Sequence, residues 1–361
     1  MGRRSRALLV ATLGLVSCQG DGEPSERLSI VPALVAELDS TVAAYDDGDF
    51  AGAVLVGVGD SVVYTWGRDS LGVSQAATDS RFWIASITKS FTAAAIVRLQ
   101  QDGALRTTQR LRAFVRGVPP DKDAITLYHL LTHTSGLADA YLALDQPDRS
   151  TMLRRVLAEP LADSVGSSYA YADDNYSLLA AVVEVAAGTS YEDYVRQTFF
   201  EPTGMENSGF WTEVDGVYPT PHPIEYVQDR DNWTFKGAGG ISSTVRDLWR
   251  WSRALVDTIV VNRLGRDLLW SPHVPLSTAA YALGWSFGVR DGLLQVRSSG
   301  ADDFGSNGML GLFPELDVTV VVLAHAVGPD DETLGIELYR DISLKLQRLV
   351  DELDPAAALE R

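Results

Sequence analysis

Apolar residues recur at helical spacing over residues 29–45, with Ser29 placed to cap the helix they predict. Residues 51–66 switch to strand-like runs broken at Gly59-Asp60, a dipeptide that favours a hairpin. Residues 81–87 are strand-like and apolar. Residues 89–101 are rich in alanine and closed by Gly103, which predicts a helix. Helical pattern then dominates residues 105–236, clearest at 176–187, which ends at Gly188, and at 191–200, which Pro202 stops. Residues 243–256 are amphipathic, with Asp247, Arg250 and Arg253 on the polar side. Strand-length runs return at 283–289, 293–298, 308–313 and 318–325, and residues 333–350 close as an amphipathic helix.

Strands near both ends with helices between them predict an α+β fold. The expected architecture is an antiparallel sheet flanked by helices, built from both termini, with a mostly helical insertion. The main domain is expected over residues 29–350. Its α/β part takes in about 29–104 and 237–350, and its helical part about 105–236. Residues 351–361 form a tail. No internal repeat of solenoid period is present.

The first residues change the picture. Arg3, Arg4 and Arg6 precede a short apolar run, residues 7–16, too short to cross a bilayer as a mature helix. Residues 1–17 therefore read as an export signal and 18–28 as a flexible polar tether. The run ends Leu15-Val16-Ser17-Cys18, which resembles the lipid-attachment site of bacterial lipoproteins; a plain secretory signal with an incidental cysteine is the alternative. Lipidation at Cys18 implies an exported chain held at a bacterial membrane, facing the periplasm or cell exterior, through its N-terminal lipid alone.

Hydrophobic residues make up 46% of the chain and charged residues 22%, values of a core-forming protein. The net charge of −18 argues against nucleic acid as a partner, because a polyanion is held by clustered Lys and Arg. Cys18 is the only cysteine, which excludes an internal disulfide and a thiolate zinc cluster. None of the five histidines forms a His-Glu-x-x-His pattern. His129 and His133 are four apart and could share a helical face, but without an acidic third ligand they read as structural hydrogen-bonding residues. No metal and no cofactor is expected. Nothing in the pattern specifies an oligomer.

The chemistry-bearing pattern is Ser86-Ile87-Thr88-Lys89. Residues three apart at a helix start share a face, so Lys89 is expected to point at the Ser86 hydroxyl. A serine hydroxyl is a weak nucleophile until a base takes its proton, and a lysine can do this when its surroundings lower its pKa. The helix N-terminus adds N–H groups where an oxyanion would form. A serine three residues before a lysine also arises by chance, but of the four lysines only Lys89 has one, and it enters an apolar helix.

Residues 82–92, Phe-Trp-Ile-Ala-Ser-Ile-Thr-Lys-Ser-Phe-Thr, resemble the active-site segment of the serine β-lactamase and penicillin-binding protein superfamily. The likeness is strongest to the branch of class C β-lactamases, D-alanyl-D-alanine carboxypeptidases and family VIII esterases. Residues 125–137 (with Leu130-Leu131-Thr132-His133-Thr134-Ser135-Gly136-Leu137), 200–210 and 237–244 resemble further segments of that branch in the same order, and similarity runs over residues 31–348. The resemblance implies a hydrolase that forms an acyl-enzyme on Ser86. Tyr171, in Tyr171-Ala172-Asp173-Asp174-Asn175-Tyr176, then shares proton transfer with Lys89. Asp173 stands where the family has Asn, and its carboxylate is expected to favour the Lys89 ammonium and shift proton abstraction toward Tyr171.

The family's third motif, a cationic residue or His followed by Ser, Thr or Gly and then Gly, falls on Ser298-Ser299-Gly300. Ser298 supplies no cation, and Arg297 should face away from it because strand side chains alternate. By resemblance, Gly300 lets substrate approach and the Ala301 N–H completes an oxyanion hole with that of Ser86. The substrate is expected to be a small-molecule or peptide acyl compound, with esters and other neutral acyl groups favoured by Ser298. The alternatives are a D-alanyl-D-alanine carboxypeptidase or β-lactamase acting on cell-wall-type substrates, and a non-catalytic binding protein of the same fold.

Overall fold

The structure is a computed structural model that describes residues 31–45, 50–68, 78–139, 148–210, 217–218, 233, 235–290, 292–301, 306–326 and 334–353. The expected leader, Cys18, the tether, the proposed Ser29 cap and residues 354–361 of the expected tail lie outside the described residues, while residues 351–353 of that tail continue the last helix. The α-helices of five or more residues are α1 (Val31–Ala43), α2 (Thr88–Gln101), α3 (Leu127–Leu131), α4 (Arg149–Ala158), α5 (Asp173–Ala187), α6 (Tyr191–Val195), α7 (Val245–Val256), α8 (Arg263–Trp270) and α9 (Leu334–Leu353). The long strands are β1 (Phe50–Val58), β2 (Ser61–Arg68), β9 (Ser286–Arg290), β10 (Leu293–Ala301), β11 (Ser306–Phe313) and β12 (Val318–Ala326). Between them lie the short strands β3 (Arg81–Trp83), β4 (Gly209–Phe210), β5 (Val217–Tyr218), β6 (Ile241–Ser243), β7 (Val274–Pro275) and β8 (Ala280–Tyr281).

The main sheet has eight strands in the order β2-β1-β12-β11-β10-β9-β8-β7, every pair antiparallel. It joins the two ends of the domain, because β1 pairs with β12 along its full length, from Phe50 opposite Ala326 to Val58 opposite Val318. The central strands read as continuous apolar runs because both faces are covered. On one face Val54, Val56, Val320 and Val322 pack against Leu34 and Leu38 of α1 and Leu338 and Ile342 of α9. On the other, Ala53, Leu55, Leu310, Leu312, Val321 and Leu323 join the larger core with α2, α5 and α7. The two-residue period of a strand sends alternate side chains to these two cores.

A second sheet, β4-β6-β3-β5, was not anticipated and includes the parallel pair β3·β5. Other departures are local. The expected strand over 81–87 stops at Trp83; Ala85 takes a left-handed φ of 42° and Ala85–Ile87 forms a 3₁₀ turn into α2. The helix expected from 243 begins at Val245, because Ser243 pairs in β6 and the Thr244 side chain accepts from the Asp247 N–H as the cap. His129 and His133 do not share a helical face: α3 ends at Leu131 and His133 has a φ of 54°.

Helix α2 runs through the middle of the larger core, with every residue from Thr88 to Val97 buried. Phe91 stacks on Trp251 at 4.1 Å between ring centroids, and the Trp251 indole donates to the Ser90 hydroxyl. A helix so enclosed is a rigid mount for the residues at its N-terminal end.

Candidate active site

Ser86 sits on the 3₁₀ turn between β3 and α2, one residue after the positive-φ Ala85. A non-glycine residue in that region is strained and persists only where the surroundings hold it. Here the Trp83 indole donates to the Gly239 carbonyl, and the Thr88 hydroxyl accepts from the Ile241 N–H, so the turn is tied to the 237–241 segment.

One turn into α2, the Lys89 ammonium lies 2.9 Å from Ser86 Oγ. Its other two partners are the Ala238 carbonyl at 2.8 Å and Asp173 Oδ1 at 2.6 Å. Lys89 is only 2% exposed. The Ala238 carbonyl is presented by a turn that requires glycine before it. Gly237 has a φ of 78°, and a Cβ there would fall 2.6 Å from the Tyr176 carbonyl oxygen. Burial pulls the Lys89 pKa down, but the neighbouring Tyr171 oxygen and the Asp173 carboxylate outweigh it, and the pKa stands above its ordinary 10.5. The helix α5 begins at Asp173, three residues earlier than its apolar pattern suggested, and this start delivers the carboxylate to Lys89.

Tyr171 precedes α5 and places its hydroxyl 2.9 Å from Ser86 Oγ. The Lys89 ammonium also lies 5.0 Å from the centre of the Tyr171 ring. Ser86, Lys89, Tyr171 and Asp173, chosen from sequence, therefore meet in one place.

The β10 strand forms the opposite wall. Gly300 lies against the turn so closely that a Cβ would sit 2.2 Å from the Ile84 carbonyl oxygen and 3.1 Å from the Ser86 nitrogen. Ser298 is buried and its hydroxyl reaches toward the Gly284 carbonyl at 3.4 Å. Ser299 is exposed. Arg297 pairs opposite Gly311, whose open α-carbon is covered by the Tyr339 hydroxyl of α9. Paired residues share a face, so the Arg297 side chain leaves from the terminal-helix side of the sheet, as alternation predicts. Ser86, Lys89, Tyr169, Tyr171, Tyr281, Trp285, Arg297, Ser298, Ser299 and Ala301 are among the residues lining a cleft of about 290 Å³. Among the described residues no group of three or more His, Cys, Asp or Glu is arranged to hold a metal.

Sequence reading missed the Ala238 carbonyl, which carries no side-chain signal. His133, read as a structural hydrogen-bonding residue, is one: it accepts from the Ala172 N–H and meets the Tyr281 hydroxyl at 3.0 Å, and its ring also stacks 4.5 Å from that of Tyr171.

Comparisons with known proteins bear on the fold and the family. A penicillin-binding protein of Bacillus subtilis is 27% identical over 275 residues, 65% of this chain and 59% of that protein, so the chain spans less than two thirds of that relative. The penicillin-binding protein from Bacillus halodurans shares the fold with a TM-score of 0.67 at 24% identity, covering 83% of this chain and 99% of that one. So does the D-amino acid amidase from Ochrobactrum anthropi, with a TM-score of 0.71 at 19% identity over 90% of this chain and 99% of that one. The Beta-lactamase family model matches residues 38–343, and the chain belongs to that family, whose members are generally serine hydrolases.

Proposed function

We propose that the protein hydrolyses small ester or other neutral acyl substrates through an acyl-enzyme on Ser86. The observation that carries this reading is the approach of both Lys89 Nζ and Tyr171 OH to within 2.9 Å of Ser86 Oγ, beside an open cleft. Asp173 holds Lys89 as the ammonium, so Tyr171 accepts the Ser86 proton while Lys89 supplies positive charge. The Ser86 oxygen attacks the acyl carbon, and the N–H groups of Ser86 and Ala301 receive the developing oxyanion. Tyr171 then returns the proton to the leaving alcohol. Water attacks the resulting ester by the same proton path and releases the acid.

Neutral substrates are favoured because the Lys89 ammonium is already paired with the Asp173 carboxylate and Ser298 carries no charge. The test is release of p-nitrophenol from p-nitrophenyl butyrate by residues 19–361, wild type beside Ser86→Ala. Turnover by wild type and loss of at least about 100-fold in the variant is the expected result; equal inertness of both overturns the ester reading. The names of the relatives favour a second reading, hydrolysis of β-lactam or D-alanyl amide bonds, and a chromogenic cephalosporin and a D-alanyl-D-alanine peptide assayed in parallel separate the two.

A further inference from the structure

The segment around His133 is not used by the chemistry above, yet its polar groups form a connected chain whose direction the backbone sets at the histidine. The Leu137 N–H donates to Ser135 Oγ at 3.2 Å, Ser135 Oγ meets Asn175 Oδ1 at 2.6 Å, and Asn175 Nδ2 lies 3.1 Å from His133 Nδ1. The Ala172 N–H, an obligatory donor, points at Nδ1, at 3.2 Å. With that donor on Nδ1, the proton of the neutral ring sits on Nε2, where it donates to the Tyr281 hydroxyl at 3.0 Å. His133 is fully buried, in a left-handed backbone conformation, with its ring stacked on that of Tyr171 at 4.5 Å and 29°.

We infer that His133, as the neutral Nε2–H tautomer, is a positioning residue that sets the Tyr171 ring against Ser86, through the ring stack and through the amide of Ala172, the next residue along. This rests on the hydrolase reading, in which Tyr171 moves the proton. An imidazolium would turn Nδ1 into a donor facing the Ala172 N–H. Of the charged and titratable groups around the ring, Lys89 opposes a second positive charge, Asp173 is engaged by Lys89, and Tyr169, Tyr171, Tyr176 and Tyr281 surround the ring as aromatic neighbours. Burial, and after it the charge of Lys89, holds the His133 pKa well below the usual 6.5.

The test pairs two variants with a spectroscopic measurement. His133→Asn keeps an acceptor near the Ala172 N–H but loses the stack, and His133→Phe keeps a ring but loses the acceptor. Each is expected to lower kcat about 10- to 100-fold with KM little changed, because displacement of a reacting group by about 1 Å costs rates of that size. Folded variants that turn over at the wild-type rate overturn the inference. In the wild type, ¹⁵N shifts of the His133 ring, assigned by their loss in His133→Asn, should report the Nε2–H tautomer unchanged from pH 8 to pH 5. A ring that titrates to imidazolium near pH 6.5 overturns it, even if the variants fail to fold. If the wild type is inert on every acyl substrate, the hydrolase reading falls while the ¹⁵N result still decides whether His133 is the locked neutral group.

Discussion

Asp173 acts on the site electrostatically. A carboxylate 2.6 Å from a buried ammonium stabilises the charged form, and the Lys89 pKa is raised as a result of its neighbours despite burial. On the hydrolase reading, the Ser86 proton is taken up by the Lys89–Tyr171 pair, and a carboxylate that raises the proton affinity of Lys89 moves the acidic limb of the rate profile to higher pH. Asp173→Asn removes the charge and should move that limb to lower pH, so that a larger fraction of the maximal rate survives in acid. The check is kcat/KM for p-nitrophenyl butyrate from pH 5 to 9 in both proteins. Superimposable profiles would show that Asp173 does not tune the pair.

At the scale of elements, the site is a junction of three pieces: the turn after β3, the start of α5 and the end of β10. Each is held by contacts that tolerate little change. Gly300 is the sharpest case. Its neighbour across the gap is backbone, the Ile84 carbonyl at 2.2 Å from a would-be Cβ, which has no rotamer to move aside. Gly300→Ala must push β10 away from the turn that carries Ser86, and with it the Ala301 N–H. We expect a folded protein whose kcat falls by about 100-fold or more, measured beside a circular-dichroism melt. A fully active Gly300→Ala would show that the strand and the turn separate without consequence.

The whole molecule is built so that its two ends complete one sheet. Helices α1 and α9 cover the face of that sheet opposite the site, and Ile342 is fully buried among Val320, Val322 and Leu338. Ile342→Ala should lower stability by about 2–5 kcal/mol through lost burial and the cavity left behind. The same variant should keep KM and kcat close to wild type below its melting transition, because the α1/α9 layer and the Ser86 cleft lie on opposite faces. Denaturant midpoints together with rates at 25 °C would show whether the two faces are independent in this way.

Much of this was legible in the order of residues, for definite reasons. Apolar period and breaker residues depend on local geometry, so the hairpin at Gly59-Asp60, helix α2 and the strands that close the sheet could be placed from sequence. Ser86 and Lys89 lie within one turn, so their meeting is local too. What only the tertiary structure decided is non-local. Tyr171 is 85 residues from Ser86, and its hydroxyl reaches the serine because α5 docks against α2. The Ala238 carbonyl, 149 residues from Lys89, has no side chain to announce it. His133 looked like one more histidine until the chain bent at a positive φ and laid its ring on Tyr171. Period and propensity act over a few residues, whereas a site is assembled by whichever distant backbone and ring surfaces the core brings into contact.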